Sequence, residues 1–444
     1  MPLTVGDQRT LTIERVTARG AGVGSDGAIE VHVHGAAPGD TVQTTIEHVS
    51  PHRPEAFARL DAVVAPGAAR RAVPCPRSDL ADGACGGCPW LHLTEAAQGS
   101  AGLARVRAAW AAHGLDASVL PNAVQRAGAA TGWRNRSHRL AWRDGDGVVL
   151  GARARRGAGL ADLSGCLVEQ APLPAVFDAL AAEASRLQLP TFASSGAGLR
   201  QVSARTNRDG EVLIEIAVTS DVDVAALVDA AMAIPGVVGV HLATLDGPTN
   251  STFGAERRHV AGVQQIVERC GPLIVPLGPS TFFQLNTAVA EAMYARAAAW
   301  CEGASRVADL YAGIGGLGVT IAHGTGAVVH ACEVHPGAIE AGSALAASVG
   351  VPWTGAVVDL EKGAIALDAA TDRIVVNPPR RGLSKRVIAA VRERPGVPVL
   401  YMSCSPDTLA RDLAEIGRPV RRVEVWAMMP GTAHVEVLVD VATA

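Results

Sequence analysis

The chain has 444 residues, 48% of them hydrophobic and 18% charged, with a net charge of −4. That length accommodates two or three domains with full cores, and the balance of residue types excludes a disordered chain. No basic segment leads into an apolar core at the start and no run of about 18 apolar residues occurs later, so neither a secretory leader nor a membrane span is expected, and the cytoplasm is the expected compartment. Eight cysteines in such a chain point to metal ligands, a nucleophile or core thiols before disulfides. The basic side chains are nearly all Arg, Lys362 and Lys385 being the exceptions. A weakly negative total leaves any nucleic-acid binding to local patches.

Residues 1–60 read as a small β module. Thr10–Val16, Ile29–Val33 and Thr41–Ile46 have strand character, and Gly20, Gly22, Gly24, Gly27 and the Pro38-Gly39-Asp40 turn separate them. Short strands with glycine-rich connections suggest a small closed barrel of the oligonucleotide-binding kind. The Gly20–Gly24, Asp26-Gly27 and Gly35–Asp40 stretches resemble a TRAM domain, an RNA-binding appendage; a barrel without that role fits the residues equally. Residues 61–74, with Pro66, Gly67 and Pro74, read as a linker.

Cys75, Cys85 and Cys88 then fall within one short segment, and Cys85-Gly-Gly-Cys88 can place two thiolates on one metal. The next cysteine is Cys166. A zinc ribbon brings a second CxxC pair and none is present, so the spacing favours a [4Fe–4S] cluster over structural zinc, with a lone redox pair as the plain alternative. Residues 95–113 have helical spacing. Residues 132–260 are rich in strands: Leu140–Trp142, Val148–Leu150, Val212–Val218 and Val237–Leu245. Arg134, Arg136, Arg139, Arg153, Arg155 and Arg156 cluster there beside Trp133 and Trp142, a composition suited to RNA phosphates and stacked bases, or to a solvated surface.

From about residue 275 the pattern becomes α/β. A helix is expected over Thr287–Trp300, after Phe282-Phe283-Gln284-Leu285-Asn286. Strands are expected at Arg306–Tyr311, Val328–Glu333, near Val357–Asp359, at Arg373–Val376 and at Val399–Ser403. Val307–Gly318 reads as strand, glycine turn and helix, with Gly313, Gly315 and Gly316 letting a ligand lie close to the backbone. Asp309, Glu333, Asp359 and Asn377 end their strands at the edge where such sheets bind ligands, and Glu333 stands where a carboxylate can hold ribose hydroxyls. Helix capping explains some of these residues equally well.

The glycine turn permits a dinucleotide or S-adenosylmethionine. Three downstream features favour the methyl donor. Asn377-Pro378-Pro379-Arg380 forms a rigid loop directly after a strand, placing Asn377 to read the edge of a planar base. Cys404 precedes Ser405-Pro406-Asp407, a helix start whose dipole is expected to lower the thiol pKa. Glu436 lies on an alternating strand, His434–Val439, near the sheet edge, where apolar neighbours could raise its pKa, although a solvent-facing Glu is the plain alternative. Cys270, Cys301 and Cys332 lack such settings and read as core. A nucleophilic thiol, a base and a methyl donor together serve methylation of carbon 5 of uracil, and a base within RNA must first be flipped out.

These motifs together, from the TRAM-like start through CxxC, FFQLN, DLYAGIGGLG, NPPRRGL, SCSPDTLARDL and HVE, resemble the RNA uracil-C5 methyltransferases, specifically the iron–sulfur 23S rRNA branch. The resemblance covers nearly the whole chain. It implies a C-terminal class I, Rossmann-like methyltransferase domain at 266–444, a TRAM-like barrel at 1–62 and a central α+β domain at 70–265 carrying the cluster, its helix 95–113 packing on the catalytic domain. It implies Cys404 as nucleophile and Glu436 as proton-abstracting base. It further implies Gln284, Tyr311, Gly313, Gly316, Glu333, Asp359 and Asn377 around S-adenosylmethionine and the target base. Cys75, Cys85, Cys88 and Cys166 become [4Fe–4S] ligands, with a structural or RNA-folding role. The implied partner is 23S rRNA, with the tRNA T-loop as rival and no obligate protein partner. The family usually has Asp where this chain has Asn377, which loses a charge and adds a donor. It often has a larger polar residue at Gly316. The first departure also motivates an RNA-binding protein impaired in catalysis, and the same thiolate chemistry would serve a cytosine-C5 enzyme.

Overall fold

A computed structural model describes residues 3–78, 84–155, 159–247, 256–363, 365 and 367–444. The chain divides into two compact units. One comprises 1–102, 151–166 and 429–434; the other comprises 103–150, 167–428 and 435–444. No helix among the described residues is long and apolar enough to cross a membrane.

The first unit holds a six-stranded sheet in the order Gln8–Thr12, Thr41–Val49, Glu55–Ala65, Ile29–His34, Ala21–Asp26, Arg15–Val16. Alternation along Ile29–His34 sends Val31 and Val33 inward, where they meet Ile13, Val42 and Ile46 in a core of their own. The expected linker departs from expectation. Its first residues complete the long strand Glu55–Ala65. The stretch beyond that strand is pinned by the fully buried Asp40, which accepts hydrogen bonds from Gly67 N (2.8 Å) and Arg70 Nη2 (2.6 Å). A buried carboxylate needs such donors, so the Pro38-Gly39-Asp40 turn holds these residues instead of releasing them.

The second unit contains two large sheets and a two-stranded one, Ile266–Cys270 paired with Leu273–Leu277. Strands Glu256–Gly262, Val237–Thr244, Val212–Val218, Leu199–Thr206, Arg136–Asp144 and residues 147–150 form the first, in that order. Helices Leu173–Arg186 and Ala225–Ala233 supply Leu173, Phe177, Leu180 and Leu227 to the core on one of its faces.

The second sheet is preceded by helix α1 (Thr287–Trp300) and built from β1 (Arg306–Leu310), β2 (Val328–Glu333), β3 (Trp353–Val357), β4 (Arg373–Val376), β5 (Val399–Ser403), β6 (Val420–Trp426) and β7 (Glu436–Val441). Their order is β3-β2-β1-β4-β5-β7-β6, parallel from β3 to β5, with β7 antiparallel to both β5 and β6. Helices α2 (Gly316–Thr325), α3 (Pro336–Ser348), α4 (Lys385–Arg392) and α5 (Pro406–Ile416) connect them. Strands β4 and β5 are buried throughout, as the inner strands of a parallel sheet covered on both faces must be. Leu103, Val106 and Trp110, at helical spacing, join the core formed by Val387, Tyr401, Leu409 and Val425. Burial of each such side chain is worth roughly 1.5–3 kcal/mol.

Two strand expectations shift. The segment expected near Val357–Asp359 is the end of β3, with Asp359 two residues beyond it. The final strand begins at Glu436 and is buried along its whole length, because β7 lies between two strands and not at the edge.

Candidate active site

The turn after β1 is held by backbone conformations that few side chains adopt. Tyr311 has φ +62°, Gly313 φ +55° and Gly315 φ +76°, the last capping α2. The glycines serve different ends. A Cβ at Gly318 would sit 2.4 Å from Asp309 Oδ2, and one at Gly316 would sit 3.3 Å from the Tyr294 ring. Both positions are therefore small because of protein packing. Gly313 alone among them faces open space, with nothing within 4 Å of a Cβ. Asp309 is buried beneath the turn and its carboxyl is pushed up to about 7, by burial first and then by the charge of Glu333, against the Gly318 amide.

The carboxyl ends of the strands gather the remaining residues. Glu333 accepts hydrogen bonds from Gly313 N at 3.0 Å, Val334 N at 2.9 Å and His335 N at 3.1 Å, which fixes its carboxylate beside the open glycine. Asp359 is tied to the same strand end through Val358 N on Glu333 O (2.9 Å), and its own carboxylate accepts from Glu361 N (3.0 Å). Asn377 N donates to Leu310 O (3.3 Å), and the Asn377 side chain makes no hydrogen bond among the described residues. The Tyr311 hydroxyl accepts from Ser384 N at 3.2 Å, and burial raises its pKa. Gln284 bonds the Tyr294 hydroxyl, the same ring that packs on Gly316.

Cys404 and Glu436 lie across the β5–β7 pairing. Ser403 faces Val437 in the last registered pair, and Cys404 and Glu436 are the next residues along. Glu436 is only 7% exposed, and burial pushes its carboxyl up to about 8, opposed by the Arg380 charge. The Cys404 thiol is also raised, by burial first and then by Glu436, while the Arg380 guanidinium bonds the sulfur and pulls the other way. The expected depression of this thiol by the helix dipole is therefore corrected: partial burial and a neighbouring carboxylate outweigh a dipole that acts only within one turn. Arg380 is the residue the motif reading passed over, and its place directly after Pro378-Pro379 was the available signal. Phe282 is 72% exposed two residues before Gln284, while Phe283 is buried. A pair of adjacent aromatics in an extended segment puts one ring on each side.

Two members of the arginine cluster, Arg136 and Arg139, point into the protein and not to its surface. Arg139 is 1% exposed, paired with Glu169 at 2.6 Å and stacked over Phe177 at 4.1 Å. Arg136 donates to Pro279 O (2.5 Å), and the buried Arg205 donates to Gly278 O (2.9 Å) and Thr281 O (2.6 Å). Arg136 and Arg205 clamp the segment leading into Phe282 and Gln284. Burying a guanidinium requires such acceptors, and bare carbonyls supply them. Trp133 is buried, Arg153 is exposed, and Arg156 lies outside the described residues.

Cys75, Cys85, Cys88 and Cys166 are all partly buried side chains of the first unit. Backbone and side-chain ties relate their segments. Cys85 N donates to Arg77 O at 3.0 Å, Arg77 pairs with Asp162 at 2.8 Å and bonds Ser164, and Gly87 N donates to Cys85 Sγ at 3.4 Å. Among the described residues, however, no three His, Cys, Asp or Glu side chains are grouped to hold a metal ion.

Comparison with known proteins bears on this site. Residues 360–442, which span Asn377, Cys404 and Glu436, match the family model described as tRNA (Uracil-5-)-methyltransferase. A 23S rRNA (uracil(1939)-C(5))-methyltransferase, RlmD, of Halomonas elongata is 31% identical over 97% of this chain and 88% of its own length. An uncharacterized RNA methyltransferase of Thermosynechococcus vestitus is 29% identical over 98% of both chains. The fold is that of the crystal structure of Pyrococcus abyssi tRNA (uracil-54, C5)-methyltransferase in complex with S-adenosyl-L-homocysteine, with a TM-score of 0.78, 20% identity, and coverage of 98% of this chain and 100% of that one. With the sheet order, the residues at its carboxyl edge and a full-length relative in agreement, the chain belongs to the RNA uracil-C5 methyltransferases and is an enzyme of that family.

Proposed function

We propose that the enzyme transfers a methyl group from S-adenosylmethionine to carbon 5 of a uridine in 23S rRNA, through a covalent bond between Cys404 and carbon 6. The observation that carries this reading is the convergence of Cys404, Glu436 and Arg380 beside the strand ends that present Glu333 and Asn377. The Cys404 thiolate adds to carbon 6, and the displaced π electrons move toward oxygen 4. Carbon 5 then takes the methyl group, which the donor supplies by breaking its sulfonium–methyl bond. Glu436 removes the carbon-5 proton, the carbon 5–carbon 6 double bond re-forms, and the carbon–sulfur bond breaks to return the thiolate. Arg380 steadies the negative charge on sulfur at both ends of the cycle.

The donor fits the residues present. Gly313 leaves an open approach, the anchored Glu333 carboxylate suits ribose hydroxyls, and Asn377 offers an unused amide to the target base or donor. Gln284, Tyr311 and Asp359 border the same edge, whereas Gly316 contributes by letting α2 pack on Tyr294. The 23S rRNA substrate is inferred from the name of the full-length Halomonas relative. The tRNA T-loop is the second reading, favoured by the Pyrococcus fold and the matched family model. Labelled S-adenosylmethionine offered with rRNA and tRNA separately decides between them: counts in rRNA uphold the proposal, counts in tRNA alone uphold the rival, and counts in neither favour an RNA-binding protein weakened at Asn377.

Residues 1–62 are proposed as the TRAM-like RNA-binding module, 70–265 as the central domain and 266–444 as the catalytic domain. Cys75, Cys85, Cys88 and Cys166 are proposed to bind a [4Fe–4S] cluster of structural role. The ties through Arg77 and the amide on Cys85 Sγ support it, but the side chains as placed do not form a metal-holding group, so no step of the reaction passes through the cluster. Protein purified without oxygen should be brown, absorb near ~400 nm and contain about four irons per chain. Colourless, zinc-loaded protein would contradict the assignment.

A further inference from the structure

The loop after β4 carries Arg380 to Cys404, and what holds that loop lies on the helix after Cys404. Three residues on one face of α5, at the spacing that aligns side chains on a helix, grip three loop positions. Thr408 Oγ1 donates to Arg380 O (3.1 Å), Arg411 Nη2 donates to Arg381 O (2.8 Å), and Asp412 Oδ2 accepts from Leu383 N (2.7 Å). Asp412 is fully buried. Its Oδ2 also accepts from the Tyr401 hydroxyl at 2.7 Å, and its Oδ1 accepts from Arg411 Nη2 at 2.6 Å and Nε at 2.9 Å. Such saturation is what keeping a carboxylate charged in the interior requires. Gly382 has φ +82°, and a Cβ there would lie 2.4 Å from Asp412 Oδ2 and 2.6 Å from Arg411 Nη2. The loop is pressed onto this carboxylate so closely that only glycine fits.

We propose that Asp412 is a positioning residue of the methyl transfer: by locking residues 380–383 onto the helix that comes after Cys404, it holds the Arg380 guanidinium against the Cys404 sulfur. Asp412 touches neither substrate nor the reacting atoms and acts only through Arg380. Among the described residues, the charged groups facing Cys404 are Arg380 from the loop after β4 and Glu436 from β7; Asp407 lies in the first turn of its own helix. Arg380 is the cation of this set, so its displacement removes the side-chain charge that favours the thiolate. The proposal rests on Cys404 being the nucleophile, and its test separates the two.

The experiment measures Cys404 alkylation by iodoacetamide against pH, read by peptide mass spectrometry, alongside steady-state kinetics. In Asp412→Asn an amide with one acceptor oxygen replaces a carboxylate whose two oxygens both accept, so one set of donors loses its partner. The alkylation midpoint should move up by about one pH unit, and kcat should fall on the order of tenfold or more with KM for RNA little changed. Gly382→Ala, which forces the same contact apart, should reproduce the shift if Asp412→Asn does not fold. Arg380→Ala should shift the midpoint equally, and the double variant should add nothing, because both changes remove one interaction. An unchanged midpoint in both Asp412→Asn and Gly382→Ala, or additive shifts in the double variant, would overturn the lock. A shifted midpoint with undiminished methyl transfer would uphold the lock and overturn the role of Cys404.

Discussion

Cys404→Ala is expected to lower methyl transfer by at least about 10³-fold, the scale on which loss of a covalent nucleophile acts, while S-adenosylmethionine binds within twofold of the unaltered protein. Carbon 5 of uracil is not nucleophilic enough to take a methyl group unaided, and the other cysteines of the same unit are buried thiols poorly suited to the task. Cys332, at the end of β2, is buried with its thiol pushed up to about 11; Cys270 and Cys301 are pushed up to about 12. Alanine removes one atom from a partly exposed site and leaves Glu333, Gly313 and Asn377 untouched, so the donor should be held as before. Tritium transfer from labelled donor and calorimetric titration measure the two halves. Turnover surviving in the alanine variant would mean that the ring is activated some other way.

Glu436→Gln should stop the cycle later, with the RNA already bonded to the protein. Glutamine keeps the shape of the side chain but cannot accept the carbon-5 proton, so turnover should drop by roughly 10²–10⁴-fold and the methylated adduct should accumulate as a band that survives denaturation. The titration has a definite sign. With its carboxyl raised to about 8, Glu436 is mostly protonated in the empty enzyme at pH 7, which leaves Arg380 uncontested beside Cys404. Proton abstraction needs the ionised form, so the rate of that step should climb as pH rises through about 8. The two groups are coupled, and a rate profile will report them as a pair. Removing the charge should also let Cys404 alkylate more readily above pH 8, since the carboxylate that raises its pKa is gone. Stability obeys the same linkage. A carboxyl raised on folding contributes fully below its ordinary pKa of 4.5, and that contribution is lost as pH rises through about 8. Glu436→Gln should therefore melt higher than the unaltered protein at pH 9. An equal melting temperature at that pH, with no adduct, would remove Glu436 from the mechanism.

The parallel strands were legible because β2, β4 and β5 are short apolar runs bounded by a polar residue and a turn, a pattern that one sequence displays without help. Strand β6 was not, because the adjacent Arg421 and Arg422 break its alternation, at a register shift that only the pairing with β7 reveals. The strand Glu55–Ala65 escaped for a related reason. Its Ala-rich end reads as a linker until Thr41–Val49 is seen pairing with it. At the site, the chain showed which residues are chemically able and left open how each is tuned. The direction of the Cys404 shift depends on Glu436 standing on the adjacent strand, a fact of pairing and not of local order. Arg136 and Arg139 read as a basic surface because nothing in their own segment announces the Pro279 carbonyl or the Glu169 carboxylate that hold them. The glycine turn is plain in the sequence, but Gly316 answers to Tyr294 and Gly318 to Asp309, while Gly313 faces open space.

The most direct measurement offers the enzyme an rRNA fragment carrying 5-fluorouridine together with S-adenosylmethionine. Fluorine at carbon 5 cannot leave as a proton does, so the ring should remain fixed to sulfur after the methyl group has moved. Digestion and mass spectrometry should then find the methylated nucleotide on the peptide containing Cys404. If RNA with ordinary uridine is methylated while the fluorinated RNA is never captured, or is captured on another residue, then the bond to Cys404 on which the account depends does not form.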